Sequence, residues 1–143
     1  MREALRPATL SLVNSPSRVP PQVLAAAARA PGLELLVLFG SRARGDARPA
    51  SDWDFAYEAD ARFDPQAFAA ALVLALGTEQ VDLVDLARAG ALLRFRVARD
   101  GSVVAEARPA LFRAFWLAAV AFWCDVEPVL RAAYERSLAR LTP

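Results

Sequence analysis

Hydrophobic and polar positions fall into short blocks that predict the elements. Residues 33–39 (LELLVLF) are an apolar run closed by Gly40, too short for an independent helix and without helical period, so they predict a buried strand. In Ser51-Asp52-Trp53-Asp54-Phe55-Ala56-Tyr57 polar and apolar residues alternate. That period predicts a second strand, with Asp52 and Asp54 on one face and Trp53 and Phe55 on the other. Residues 80–86 (QVDLVDL) predict a third strand, and Val103-Val104-Ala105 a short fourth. Residues 21–30 read as a helix opening on Pro21 and ended by Pro31-Gly32, and residues 65–76 as a helix stopped by Gly77. Phe68, Ala71, Leu72 and Ala75 share the inner face of the second. Residues 86–98 read as helical despite Gly90, with Asp85 as the cap. Residues 1–20 show no sustained period and read as an arm or loop, in which Thr9 to Val13 is ambiguous with an extra edge strand.

The C-terminal part differs. Pro109 is placed to start a helical region in which Ala114 to Cys124 (AFWLAAVAFWC) carries no charge. Eleven apolar residues are too few to cross a bilayer, so a buried helix is predicted, with Cys124 as a small core residue. Phe112, Phe115, Trp116, Ala119, Phe122 and Trp123 form one stripe, but Leu117, Ala118, Val120 and Ala121 fill the other sides. One core needs one face, so a second face is expected to meet a partner. Asp125 interrupts the run, and Glu127-Pro128 is read as the start of another helix towards Leu141. These patterns give an α/β (α+β) fold, a small mixed β-sheet flanked by helices. Residues 1–108 form its core with the N-terminal arm, and 109–143 a C-terminal helical extension of the same domain.

Composition narrows the chemistry. A chain of 143 residues is read as one domain, able to bury about 70% of its unfolded surface. The 56% apolar content is high for the size and again suggests a covered surface. All 17 basic residues are arginine and histidine is absent, which excludes Ser-His-Asp and Cys-His catalysis and histidine-ligated zinc. A formal charge of +1 argues against broad nucleic-acid binding. A single cysteine and no apolar region of signal-peptide length near the N-terminus place the expected home in the cytoplasm.

The remaining chemistry concentrates in residues 33–58. Gly40 permits unusual backbone angles, and Ser41 is read as capping a short helix that begins at Arg42 and Ala43. Exposed amides there favour phosphate. Asp52 and Asp54, side by side, repel unless a cation intervenes, and hard oxygen ligands suit Mg²⁺ or Mn²⁺. Arg44 is the arginine expected to touch phosphate oxygens, and Ser51 is a weaker candidate nucleotide contact. A phosphate-cradling turn beside a carboxylate pair describes a nucleoside triphosphate site.

Gly40-Ser41, ten intervening residues and Asp52-x-Asp54 resemble the signature of the DNA polymerase beta nucleotidyltransferase superfamily. The stretch GSRARGDARPASDWDF is most similar to the minimal nucleotidyltransferases (MNT), the antitoxin partners of HEPN proteins in prokaryotic toxin-antitoxin pairs. Trp53 departs from the pattern, which there usually carries an aliphatic residue. The resemblance implies a third carboxylate at Asp82. Asp85, three residues on, faces the other side of a strand and is assigned to capping. The resemblance further implies ATP as substrate, Asp52, Asp54 and Asp82 as metal ligands and catalytic acids, and Gly40 and Ser41 on the triphosphate. It also implies AMP transfer to a tyrosine of a cognate HEPN ribonuclease toxin. A hetero-oligomer or homodimer through the C-terminal helix is expected, without a membrane and without direct nucleic-acid binding. Two other readings stay open: a non-catalytic antitoxin acting by occlusion, and a small-molecule nucleotidyltransferase of the aminoglycoside type. Arg94, Arg96 and Arg99 read as a solvated face, with one of them available to the triphosphate or to an acidic partner.

Overall fold

The computed structural model of the protein describes residues 11–12 and 19–141. Its strands are β1 (Ser11–Leu12), β2 (Leu33–Phe39), β3 (Trp53–Ala59), β4 (Val81–Asp85) and β5 (Ser102–Glu106). Its helices are α1 (Pro21–Arg29), α2 (Gly40–Arg44), α3 (Pro65–Leu76), α4 (Ala91–Asp100) and α5 (Leu111–Leu141). The strands form one mixed sheet in the order β1-β5-β2-β3-β4, with β3 and β4 parallel and every other pair antiparallel. Within the ambiguous stretch Thr9 to Val13, Ser11–Leu12 forms an edge strand and not the arm or loop expected there; Thr9, Leu10 and Val13 lie outside the described residues.

The continuous apolar run of β2 is explained by its central place. Leu35, Leu36, Val37 and Leu38 are fully buried because both faces of this strand are covered. On one face Leu36, Leu38, Phe55 and Tyr57 pack with Val23 and Ala27 of α1 and Phe68 and Leu72 of α3. On the other, Leu35, Val37 and Ala56 pack with Val97 and Ala98 of α4 and Leu111, Phe115 and Ala119 of α5. Each large side chain so buried contributes roughly 1.5–3 kcal/mol of hydrophobic stabilisation. α3 begins where the Asp64 Oδ1 accepts the Gln66 and Ala67 amides at 3.0 and 3.1 Å, and ends at Gly77 in the left-handed region (φ 65°).

Three local expectations change. The helix expected over 86–98 starts only at Ala91, capped by Gly90 in an extended conformation. Asp85 does accept the Ala87 amide at 2.9 Å, but that bond closes a turn over residues 86–88 and opens no helix. The two C-terminal helices expected on either side of Asp125 are one 31-residue helix with Pro128 inside it. Proline removes a single donor there, the one that would reach the Cys124 carbonyl, and the exposed helix continues on both sides. Cys124 is itself exposed, because it lies off the stripe of Leu111, Phe115 and Ala119 that meets the sheet.

Candidate functional site

Phe39, the last residue of β2, is in register with Asp54 on β3. The chain then turns at Gly40 (φ 71°) into the five-residue helix α2, which Gly45 (φ 85°) closes. α2 therefore begins at Gly40, not at Arg42. Ser41 lies within it instead of capping it, and no side chain caps its start. Gly40 is required twice over. Its φ is one that L side chains rarely adopt, and a Cβ there would collide with the Asp54 Oδ2. The carboxylate lies directly against the glycine-serine bend.

Asp54 is also in register with Asp82 on the parallel strand β4. Register partners in adjacent strands project from the same face, so the two acids stand side by side. Asp52 precedes β3 at the position that strand alternation assigns to that face, and both it and Asp82 are exposed while Asp54 is half-buried. Burial, then the charge of Asp82, then that of Asp52 push the Asp54 carboxyl above the ordinary carboxylate range, while Arg44 pulls it down. Asp82 and Asp52, the other two acids expected from the sequence, thus both act on Asp54, and so does Arg44. Asp85 pairs instead with Tyr57 on the alternate face, where its side chain serves the turn.

Among the described residues no group of three His, Cys, Asp or Glu side chains already stands in a metal-holding arrangement. The donor set nevertheless fits a hard divalent ion. It is all carboxylate and self-repelling, and Mg²⁺ commonly takes only one or two protein carboxylates together with substrate phosphates.

The flanking residues divide. The Arg44 Nε meets the Asp46 Oδ2 at 3.4 Å and its terminal nitrogen the Asp100 Oδ2 at 3.6 Å, which hangs its guanidinium between the loop and the end of α4. The Ser51 hydroxyl accepts the Arg48 amide at 2.8 Å and closes a turn. Arg94 does not reach the acids: it donates to the Leu86 carbonyl and lies over the Phe115 ring at 5.1 Å. Arg99 is paired with Asp100 at 2.7 Å, and Arg96 is exposed. Two residues near the site were not singled out from the sequence, Asp100 and the loop-binding role of Arg42. The contact of Asp100 with Arg44 and that of Arg42 with Ser51 join separate elements, and no local pattern reports such contacts.

A glycine-serine bend set against paired acids on adjacent strands of a mixed sheet marks the class as a nucleotidyltransferase. Residues 22–109 match the Polymerase beta nucleotidyltransferase family, and the chain belongs to it. A protein adenylyltransferase, MntA, of Aphanizomenon flos-aquae (strain 2012/KM1/D3) is 38% identical over 88 residues, 53% of this chain and 59% of that protein. The chain thus spans less than two thirds of the length of that relative. A crystal structure of a toxin-antitoxin with AMP-PNP superposes with a TM-score of 0.67 at 26% identity, over 82% of this chain and 94% of the other. A complex of a tri-AMPylated Shewanella oneidensis HEPN toxin with its MNT antitoxin gives 0.59 at 25% identity, over 76% and 85%.

Proposed function

We propose that the chain is an antitoxin that transfers AMP from ATP to a tyrosine hydroxyl of a HEPN toxin, using Mg²⁺ or Mn²⁺. The observation that carries this is the register of Asp54 with Asp82, with the Asp54 carboxylate against Gly40. The named activity of the MntA relative and the toxin-antitoxin complexes among the similar structures support the choice of reaction and partner.

Asp52 and Asp54 would hold the divalent ion, with Asp82 beside them. Bound there, the ion supplies charge neutralisation at the phosphates and the departing pyrophosphate. The bend at Gly40 and Ser41 lets the triphosphate approach the backbone, and Arg44 adds positive charge next to it. Asp82 takes the proton of the acceptor hydroxyl as its oxygen bonds to the α-phosphorus. The bond from that phosphorus to the bridging oxygen breaks on the opposite side, and pyrophosphate leaves. In this reading the acceptor hydroxyl is supplied by the partner's surface, as the tri-AMPylated toxin of the similar complex suggests.

The exposed face of α5 suits that partner. Trp116, Leu117, Phe122, Val129, Leu130 and Tyr134 are each 40% exposed or more, a concentration of apolar surface that soluble proteins rarely leave uncovered. It also keeps a second reading in play, neutralisation by occlusion through α5. Incubating the purified chain with Mg²⁺, α-labelled ATP and the HEPN partner separates them. Label on a partner tyrosine, lost in the Asp52→Asn, Asp54→Asn double variant together with neutralisation, is expected. Neutralisation retained by the double variant supports occlusion, and absence of label contradicts the transfer.

A further inference from the structure

The loop that delivers Asp52 is fastened from the face opposite the acids. Arg42 leaves α2 with its guanidinium over the Trp53 ring, 4.2 Å from the centroid. From there its Nε and one terminal nitrogen donate to the Ser51 carbonyl at 3.2 and 2.7 Å, and that terminal nitrogen also approaches the Pro49 carbonyl at 3.4 Å. Trp53 is itself fixed. Its amide donates to the Gln80 carbonyl at 2.9 Å, it is in register with Val81, and its ring stacks beside Phe55. Residues 45–50 are exposed, and Asp46 and Arg48 make local ties, to Arg44 and to the Ser51 hydroxyl.

We propose that Arg42 and Trp53 form a clamp that holds residues 49–52 so that Asp52 stands beside Asp54. Arg42 is a positioning residue: it bonds to the carbonyl immediately before Asp52 and lies on the Trp53 side of the strand, not on the carboxylate side. Planarity matters to it. A guanidinium stacks on the indole and forks to a carbonyl at once, which an ammonium on a flexible stem cannot do. The tryptophan is what makes the clamp available, since an aliphatic side chain offers no ring face. Groups that orient metal-binding carboxylates from behind commonly change metal affinity about 10–100-fold when removed.

This rests on the nucleotidyltransferase reading, and the test keeps the two apart. Mn²⁺ binding by the full chain, read from the paramagnetic resonance of free Mn²⁺, is compared for the wild type, Arg42→Met, Arg42→Lys and Trp53→Leu. Transfer kinetics with the partner and hydrogen exchange of residues 45–52 are measured alongside. Arg42→Met is expected to weaken Mn²⁺ binding about tenfold and lower kcat by a similar factor, with KM for ATP within about twofold of wild type. Loop exchange is expected to quicken while the melting temperature stays put. Arg42→Lys should recover part of the loss, and Trp53→Leu should reproduce it where Arg42→Met folds poorly. Wild-type Mn²⁺ binding without transfer would sink the transfer reading and leave the clamp to be decided by the binding and exchange arms. Unchanged Mn²⁺ binding in both Arg42→Met and Trp53→Leu, losses that follow a falling melting temperature, or no Mn²⁺ binding by the wild type would overturn the clamp.

Discussion

At Asp54 two demands conflict. A half-buried carboxylate between two others favours its protonated form, while binding a cation needs the charged one. Its pKa is raised in the fold by burial, Asp82 and Asp52, so the folded state binds the proton more readily than the unfolded chain. Stability is then lost as pH rises from the ordinary carboxylate range through the raised value, and is not lost below both. Asp54→Asn removes that charge. In EDTA at pH 7 the variant is expected to melt at a higher temperature than wild type, with the gap narrowing as the pH falls towards 4. Added Mg²⁺ should stabilise the wild type and not the variant. A variant that melts lower than wild type at pH 7 without metal would refute the crowding of the three acids. Much of this site was legible in residue spacing. Asp52 and Asp54 two apart give one face, and Asp82 against Asp85 three apart give opposite faces. The collision that makes Gly40 obligatory was not legible, because it depends on the register of Phe39 with Asp54 across two strands.

The elements were read well where the apolar period was strong and poorly where polar side chains decide. The short apolar run of 33–39 and the proline-opened, glycine-closed helices gave α1, β2 and α3 at their observed bounds or within one residue. The start of α4 is not legible in the sequence, because Asp85 looks the same whether it caps a helix or closes a turn. Gly90, the residue read through, is the true cap. Likewise Pro128 suits a first turn, yet it is tolerated within α5, where the Glu127–Arg131 ion pair at 2.9 Å spans it. What anchors α5 is its first three turns. Phe115 is 4% exposed and packs with Leu111, Ala119 and the sheet, and Arg94 covers its ring. Phe115→Ala should cost about 3–5 kcal/mol in urea unfolding, the usual toll of emptying an aromatic site in a core. A loss under about 1 kcal/mol would mean that α5 is not held by this contact.

Across the molecule the two faces of the sheet have different duties. The α1 and α3 side is a packed face, and the groove of about 690 Å³ between those helices, lined by Ala25, Ala26, Ala67, Ala71 and Leu74, lies away from the acids. The α4 and α5 side carries Asp54 and Asp82 at one end of the sheet and sends α5 beyond the core. Every residue of α5 from Pro128 onward is exposed. The high apolar content of the sequence leads to the expectation of a covered surface; the structure places exposed apolar side chains on α5, the helix on the side of the sheet that carries the acids. No helix among the described residues is long and apolar enough to cross a membrane, so that surface is not explained by a bilayer span. Leu130→Asp with Tyr134→Asp is expected to abolish co-purification of the HEPN partner while the melting temperature stays within about 2 °C of wild type, as surface substitutions away from a core usually do. Co-purification that survives the double substitution would move the interface off α5.

Asp82 and Asp85 occupy one strand, three residues apart, and only one of them is aligned with Asp54. Label transfer from ATP to the partner, measured side by side for Asp82→Asn and Asp85→Asn, reads which of them serves the chemistry. Asp82→Asn should lower the rate by about 10²–10⁴-fold, as loss of a general base does, with Asp85→Asn close to wild type. Asp82→Asn at wild-type rate, or the larger loss falling on Asp85→Asn, would contradict the site described at the glycine-serine bend.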